Sequence, residues 1–217
     1  MGYDWYKNLV HVPFGLVSLE SGKLSTRKGN VVLMEDLLSE AVKKTAAIIE
    51  EKNPNLPNKE EVAKEVGIGA VIFDDLYNGR IKDIVFSWEK MLSFEGETGP
   101  YVQYTNARAC SVLRKAEEEA DGNVDFSLLT DDVTVEVIKL IASFNDKVKD
   151  AAERYEPSVV SRYLVDLAQA FNKFYHDNSI LNAEENTRKA RLAVVKAVSL
   201  VLTSGLALLG IKAPEQM

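Results

Sequence analysis

Helical periodicity runs from Glu35 almost to the end of this chain of 217 residues, and it restricts the sequence to a mainly α fold. The first stretch shows the pattern, with apolar residues every three or four positions on one face: Leu37, Leu38, Ala41, Val42, Ala46 and Ile49. Later stretches of the same kind are separated by Pro, Gly and Asn residues that stop helices. The sequence therefore predicts a helical bundle of several long helices.

Capping residues and helix breakers predict where these helices begin and end. Asn58 with Glu61, and Asn182 with Glu185, have the spacing of capping boxes. The segment Gly67-Ile68-Gly69 falls inside a predicted helix, so its glycines favour close helix packing over a nucleotide-binding turn. The other helices are expected from Thr98 and Pro100 to Asp121-Gly122, from about Asp132 to Tyr155, from the turn with Pro157 to about Asp177, and up to Gly210.

The first 35 residues follow a different pattern. They contain four glycines, Pro13 and short β-branched runs. Val10-His11-Val12 and Phe14 to Leu19 are typical of short strands joined by tight turns. Because this stretch is too short to bury a core of its own, it is either an appendage or the cut end of a larger α/β domain.

Composition excludes several classes of protein. A net charge of −7 argues against a protein that coats nucleic acid through bulk charge, although a local basic patch can still bind RNA. One cysteine, Cys110, and two distant histidines cannot build a usual zinc site, so no metal site is predicted. The most apolar segment, 192–209, is short and interrupted by polar residues, which favours a buried helix over a membrane span. The single cysteine fits a reducing cytoplasm best.

The segment most suggestive of chemistry extends from Ser21 to Asn30. Three cations, two small hydroxyl residues and two glycines lie close together in it: Gly22, Lys23, Ser25, Thr26, Arg27, Lys28 and Gly29. Glycines let the backbone bend, hydroxyls and amides donate hydrogen bonds to phosphate oxygens, and cations offset the charge of a transferring phosphoryl or nucleotidyl group. From composition alone, an exposed basic turn that only improves solubility is an equally good interpretation.

Three blocks of sequence together resemble the class I aminoacyl-tRNA synthetases, in the form found in arginyl-tRNA synthetases. Phe14 to Val17 with Gly22 to Val32 is similar to the KMSKS-type signature loop of that family. Glu97 to Arg108 resembles the opening of its anticodon-binding domain, and Leu208 to Met217 resembles its typical ending. The blocks occur in the family's order, and the resemblance covers essentially the whole chain.

The resemblance implies a domain order and a reaction. Residues 1–35 would be the C-terminal remnant of a class I catalytic domain of Rossmann type, 36–95 connecting helices, and 96–217 a helical anticodon-binding domain. The parent protein would be a cytoplasmic arginine–tRNA ligase that uses arginine, ATP with Mg²⁺, and tRNA. This chain alone is expected to hold no bound cofactor, to bind RNA weakly, to catalyse nothing, to be a monomer and to make no membrane contact.

The resemblance also implies roles for the loop residues. Lys23, Ser25, Arg27 and Lys28 would be catalytic, and Gly22, Lys23, Ser25 and Lys28 would bind ATP. Charge on Lys and Arg at these positions would stabilise the pyrophosphate side of the transition state for adenylate formation.

Two features depart from the family pattern. Thr26 stands where the general class I signature has a lysine, so neighbouring cations or a lysine outside this chain would share that role. A HIGH-type motif is absent, because neither His11 nor His176 lies in one. Met1 is therefore expected to mark a truncation rather than the natural start.

Aromatic and basic residues in the predicted helix from Thr98 suggest contacts with RNA. Tyr101, Tyr104 and Arg108 have helical spacing and should share a face. Aromatic rings beside a guanidinium suit unstacked bases, so the resemblance makes them anticodon-side contacts. The alternative is that the tyrosines belong to the edge of the core.

Four further residues are candidates for tRNA binding. The family pattern points to Tyr175, His176 and Met217. Arg188 clusters with other cations near the start of the last helix and could meet phosphates, or it could belong to a solvated helix face. A function of another class also stays open, namely a stand-alone helical module, without catalysis, that binds tRNA or a protein.

Overall fold

The computed structural model describes residues 2–19, 22–23, 32–117 and 122–217, and α-helices predominate within these ranges. The helices are α1 (Met34–Lys52), α2 (Lys59–Tyr77), α3 (Trp88–Met91), α4 (Gly99–Ala116), α5 (Asp132–Ala142), α6 (Phe144–Arg154), α7 (Ser158–Asp177) and α8 (Glu185–Leu208). Within the described residues, two short 3-10 helices are also present, Asp4–Asn8 and Phe126–Leu128. The predicted mainly α class is confirmed.

A small sheet joins the N-terminal residues to the segment that follows α2. Its strands are β1 (Val17–Leu19), β2 (Gly22–Lys23) and β3 (Ile84–Phe86), in the order β2-β1-β3. β1 runs antiparallel to β2 and parallel to β3. A parallel pair requires a long crossover, and α1 and α2 supply it. The α/β material that was predicted ahead of the bundle is therefore present.

The two strands predicted in the N-terminal residues have different outcomes. The prediction from Phe14 to Leu19 is confirmed over Val17–Leu19. The prediction for Val10-His11-Val12 is wrong, because these residues are exposed and form no strand. Alternating apolar residues stabilise a strand only by packing against a neighbouring strand or a core, and neither covers this segment within the described residues.

The main hydrophobic core lies among α4, α5, α7 and α8. Its fully buried side chains include Leu164, Phe171, Phe174 and Leu202. α7 and α8 pack tightly at Gly205, where a Cβ atom would lie 2.5 Å from Leu164 Cδ2. The missing side chain thus gives Leu164 the space to fill this interface.

The helix α8 is long and apolar enough to cross a membrane, judged by length and composition alone. Val195, Val198 and Leu202 of this helix are nevertheless fully buried against the bundle. It serves as a core helix, in agreement with the interpretation of the apolar segment 192–209.

The helices α1 and α2 form a layer beside the bundle. They pack tightly at Gly67, where a Cβ atom would lie 2.9 Å from the backbone of Ala41. This confirms that the glycine serves close helix packing. The helix α2 also contacts α4 and α7, so it joins this layer to the bundle. A smaller core at one end of the layer comprises Ile49, Leu56, Val62, Ala63 and Val66, with Phe94 and Met217 packed against it.

Neither predicted capping box forms. Asn58 precedes α2, but its φ of 54° is left-handed and its side chain makes no capping hydrogen bond. At α8 the capping residue is Glu184, whose side chain accepts hydrogen bonds from the N–H groups of Asn186 and Thr187. Asn182 precedes the capping position of α8. It lies in a separate turn, in which the N–H of Ala183 donates to Ile180 O at 3.5 Å.

Two further helix predictions need correction. The helix expected from about Asp132 to Tyr155 is divided at Ser143, whose Oγ donates to Leu140 O at 2.9 Å. A serine hydroxyl that bonds to the backbone competes with the regular helical pattern. The helix α4 ends at Ala116 rather than at Asp121-Gly122.

Other predicted boundaries are confirmed. Thr98 caps α4, Pro157 directly precedes α7, and Gly210 follows α8 with a left-handed φ of 75°.

Candidate functional site

A cleft of about 730 Å³ lies where four separate parts of the chain meet. α4 forms one wall, and the end of α7 with the connection to α8 forms the opposite wall. The loop between α1 and α2 and the C-terminal residues complete it. The side chains that matter most to its chemistry are Tyr104, Arg108, Arg114, Lys115, Tyr175, His176 and Met217.

The start of α4 fixes how this helix presents its side chains. Thr98 Oγ1 accepts a hydrogen bond from Tyr101 N at 3.2 Å and donates one to Ser93 O at 2.6 Å. Gly99 packs against Phe73, where a Cβ atom would approach within 2.8 Å. With its start anchored, α4 buries one face in the core. The opposite face turns residues at positions 104, 108, 111 and 115 toward the cleft.

An arginine in cation–π contact with two tyrosine rings is the most distinctive feature of the cleft. Arg108 Cζ lies 5.0 Å from the ring centroid of Tyr104 and 5.2 Å from that of Tyr175. Both tyrosines remain accessible, with relative exposures of 39% for Tyr104 and 42% for Tyr175. Phe94 meets the Tyr104 ring edge-on at 6.4 Å and supports it from behind. Such a stack offers flat, partly cationic surfaces to an unpaired base.

The structure does not bring Tyr101 into the same cleft. Its ring packs against the main core, and its hydroxyl accepts a hydrogen bond from Asn172 Nδ2 at 2.9 Å. Tyr101 lines a second cleft of about 630 Å³ on the other side of Tyr104 and Arg108. The three residues share a face as predicted, because all of them line this second cleft. Only Tyr104 and Arg108 also line the cationic cleft, and Tyr101 packs on the edge of the core.

The C-terminal residues reach the cleft because side chains hold their backbone in place. Backbone carbonyl oxygens accept hydrogen bonds from Gln103 (to Lys212, 2.7 Å), Asn106 (to Pro214, 3.5 Å), Arg114 (to Glu215, 3.1 Å) and Asn53 (to Met217, 3.4 Å). We call this set the tail ladder. It places Gln216 and Met217 on the cleft wall, and Met217 also packs on the small core of α1 and α2.

The remaining candidates from the sequence lie in two places. His176 lines the cleft with a side chain that is 88% exposed, and its Nδ1 lies 2.8 Å from Asp177 Oδ1. Arg188 lies in the first turn of α8 and is not among the residues that line the cleft. Arg191, one turn further, approaches it more closely, since its Nη1 donates to Ser179 O at 2.9 Å.

The charge of the cleft is opposite to that of the whole chain. Its described lining contains three cations, Arg108, Arg114 and Lys115, and neither Asp nor Glu. The chain as a whole carries a net charge of −7. The local charge of this cleft thus favours an anion, in contrast to the net charge of the chain.

The residues predicted to handle ATP are only partly covered by the structure. The backbone of Gly22 and Lys23 forms β2, in register with Leu19 and Ser18 of β1. Ser25, Arg27 and Lys28 lie outside the described residues. Their catalytic roles stay predictions.

Several residues of the site escaped sequence reasoning. Asn172 bonds to Arg108, while Asn53 and Asn178 line the cleft. Asn53 and Asn178 follow helix ends, where asparagine usually serves a turn, and Asn172 lies inside α7, so nothing in their local pattern marks them as site residues.

Comparisons with known proteins agree with this geometry. Residues 102–217 match the family described as the DALR anticodon binding domain. Residues 1–88 match the catalytic domain of class I (R) tRNA synthetases.

Two curated relatives illustrate the similarity in sequence, and both are named arginine–tRNA ligase. The arginine–tRNA ligases of Halothermothrix orenii and Clostridioides difficile are 59% and 57% identical to this chain over 217 residues. Each alignment covers 100% of this chain, which spans 38% of the length of these curated relatives.

Solved structures give the same picture. The Thermus thermophilus arginyl-tRNA synthetase aligns with a TM-score of 0.86 and 40% identity, over 94% of this chain and 35% of that one. The Plasmodium falciparum arginyl-tRNA synthetase aligns with a TM-score of 0.78 over 95% of this chain and 35% of that one, and its 23% identity shows the fold alone.

Proposed function

We propose, on the premise that this chain belongs to the arginyl-tRNA synthetase family, that it forms the tRNA-binding part of an arginine–tRNA ligase. In that reaction arginine and ATP give an adenylate and pyrophosphate, and tRNA then accepts the arginyl group. The observation that carries the proposal is the cleft, with its Tyr104–Arg108–Tyr175 stack and cationic lining. We propose that it receives unpaired bases of the anticodon loop, with His176 and Met217 as further contacts.

The N-terminal residues have a second role in this proposal. Gly22 lets the backbone approach MgATP, the substrate, and Lys23, Ser25, Arg27 and Lys28 stabilise the charge of the departing pyrophosphate. The family match over residues 1–88 and the composition of the loop support these roles. We further propose that the parent enzyme acts as a monomer in the cytoplasm.

A titration with two RNAs tests the base-binding cleft. We expect the chain to prefer the anticodon arm of an arginine tRNA over the same arm from an unrelated tRNA. Tyr104→Ala should weaken cognate binding by about ten-fold, since stacking on one aromatic ring contributes roughly 1–3 kcal/mol per base. Tyr155→Ala is the matched control, because Tyr155 is similarly exposed at 51% but lies outside the cleft lining. Equal affinity of the unmodified chain for both arms would contradict base recognition.

Salt dependence separates base contacts from phosphate contacts. Arg188→Ala should weaken both RNAs alike and reduce the slope of log affinity against log salt by about one counterion. Tyr104→Ala should leave that slope unchanged. If Arg188→Ala changes neither the affinity nor the slope, Arg188 belongs to a solvated face and not to the RNA interface.

Exchange of pyrophosphate into ATP tests the catalytic assignment. This chain alone should show no arginine-dependent exchange, because it spans 38% of the length of its relatives. In a chain extended to their full length, Arg27→Ala and Lys28→Ala should each slow adenylate formation by about 3 kcal/mol of activation free energy. If both variants kept normal single-turnover rates, the loop would be only an exposed basic turn. A stand-alone binding module would then describe the chain better than part of an enzyme.

A further inference from the structure

We propose that Asn172 is a positioning residue, which orients Arg108 for RNA binding without touching the RNA. This inference rests on the proposed function. Asn172 lies in α7 and lines the second cleft rather than the cationic one. Any effect of this side chain on RNA in the cationic cleft must therefore pass through a neighbour.

The hydrogen bonds of Asn172 leave its amide one orientation. Nδ2 donates to Tyr101 Oη at 2.9 Å and to Thr105 Oγ1 at 3.0 Å. Thr105 Oγ1 in turn donates to Tyr101 O at 2.9 Å, which uses its only hydrogen. Thr105 can therefore only accept from Asn172. If the amide were flipped, Asn172 Oδ1 would face Thr105 Oγ1 with no hydrogen between the two oxygens.

The fixed amide determines what faces Arg108. The Asn172 oxygen Oδ1 accepts a hydrogen bond from Arg108 Nη1. The flipped amide would instead place its NH₂ group against a guanidinium that has only donors. Thr105 thus selects the orientation that holds an acceptor toward Arg108, since the Tyr101 hydroxyl could either accept from this amide or donate to a flipped one.

Arg108 needs such an anchor to serve as part of a recognition surface. A free arginine side chain samples many rotamers, and holding it still on binding costs affinity. In contact with the rings of Tyr104 and Tyr175, and with Asn172 at its edge, the guanidinium is held before RNA arrives. Arginine has five N–H groups, so one bond to Asn172 leaves others for a base edge or a phosphate.

A double-mutant cycle on the chain tests the positioning role. Asn172→Ala should weaken binding of the cognate anticodon arm by about ten-fold, the effect of losing a hydrogen bond to a charged group. In an Arg108→Ala background, the same substitution should have no further effect, because its influence passes through Arg108. Asn172→Asp keeps the acceptor for Arg108, but its second oxygen faces Thr105 Oγ1 without a hydrogen between them, so it should recover only part of the binding that Asn172→Ala loses. An additive cycle would overturn the proposal, since a merely structural asparagine would cost the same in both backgrounds.

A measurement without RNA separates this inference from the proposed function. In the free chain, the Nη protons of Arg108 should give separate NMR signals because the guanidinium is held. These signals should merge in Asn172→Ala and stay separate in Asn172→Asp. Unchanged signals in Asn172→Ala would overturn the positioning role, even if RNA binds. If no RNA binds but the signals behave as described, the proposed function fails while the orientation of Arg108 by Asn172 stands.

Discussion

The apolar side chains of the N-terminal residues are exposed, whereas many of those in the helical bundle are buried. In the bundle, Phe171, Leu164 and Leu202 are fully buried. Before Ala41, no residue whose side chain the structure describes is buried, and Phe14 is 84% exposed. The bundle thus has a core of its own, whereas the N-terminal residues keep large apolar surfaces in contact with water.

This difference shows where the order of the N-terminal residues comes from. They are held by hydrogen bonds to the segment after α2: Gly15 N to Arg80 O at 2.7 Å, Leu16 N to Asp83 Oδ1 at 2.7 Å, and Ile84 N to Leu16 O at 2.9 Å. Arg80 links both regions, since its side chain donates to Pro13 O at 2.8 Å and to Tyr155 O at 3.0 Å. The bundle should therefore unfold as one unit, and the N-terminal residues should detach without it.

Truncating one phenylalanine in each region should give the largest contrast. Phe171→Ala removes a fully buried ring and should lower the free energy of unfolding by about 3–5 kcal/mol. Phe14→Ala is the matched control and should change it by less than about 0.5 kcal/mol. Urea denaturation followed by helical circular dichroism measures both. Similar losses would show that the N-terminal residues share the cooperative core.

Adding one methyl group at a tight glycine should give a smaller contrast. In Gly205→Ala the new Cβ meets the side chain of Leu164, and overpacking should destabilise the bundle by about 1–3 kcal/mol. In Gly15→Ala it would lie 2.2 Å from the backbone oxygen of Lys82, which cannot rotate away. We expect that variant to lose the β1–β3 contact while its bundle keeps its stability.

Hydrogen exchange distinguishes these two outcomes. Gly15→Ala should speed exchange at the Ile84 amide and leave the α7 and α8 amides slow. If Gly15→Ala instead accelerates exchange throughout the bundle, the two regions unfold together and the comparison fails.

The smallest contrast concerns two aspartates that accept backbone hydrogen bonds. Asp131 caps α5 by accepting from Thr134 N at 2.9 Å, and Asp131→Ala should cost about 1 kcal/mol. Asp83 accepts from Leu16 N, so Asp83→Ala should only loosen the N-terminal residues. Thermal unfolding measures the first effect and exchange at the Leu16 amide the second. If Asp83→Ala lowered the stability of the bundle more than Asp131→Ala does, Asp83 and not Asp131 would be the aspartate that supports the bundle.

The cap at Asp131 also predicts a dependence on pH. Burial raises the pKa of Asp131, but hydrogen bonds from Thr134, Asn178 and the backbone N–H of Asp131 together outweigh it and lower the pKa in the folded chain. Because the folded pKa is depressed, the cap stabilises the chain fully above the unfolded pKa of about 3.9. This contribution is lost as pH falls below that value and through the folded pKa. Asp131→Ala should remove this part of the acid destabilisation.

Sequence reasoning succeeded where one local pattern decides the structure. The burial of α8, the close contact at Gly67 and the cap at Thr98 follow from periodicity and from residue type at one position. It failed at Asn58 because a left-handed backbone removes the side chain from its capping position. A capping motif specifies residue types and not the φ that the preceding loop imposes.

The site was predictable only in part for a related reason. Tyr104 and Arg108 share a helix face, so their spacing brings them together. Tyr175 joins them from a helix some seventy residues away along the chain, and family resemblance alone pointed to it. The roles of Asn172 and Tyr101 depend on which side of α4 meets α7. That is a property of packing between distant helices, which one sequence does not state.

The tail ladder has a consequence for the order in which the chain folds. Its bonds join residues far apart in sequence, 109 residues for Gln103 to Lys212 and 164 for Asn53 to Met217. Closing such long loops costs more entropy than forming helices, so these contacts should form late. The wall that carries Met217 would then be completed after the bundle has packed, and it would open first in mild denaturant. Recovery of RNA binding should accordingly lag behind recovery of helix content during refolding.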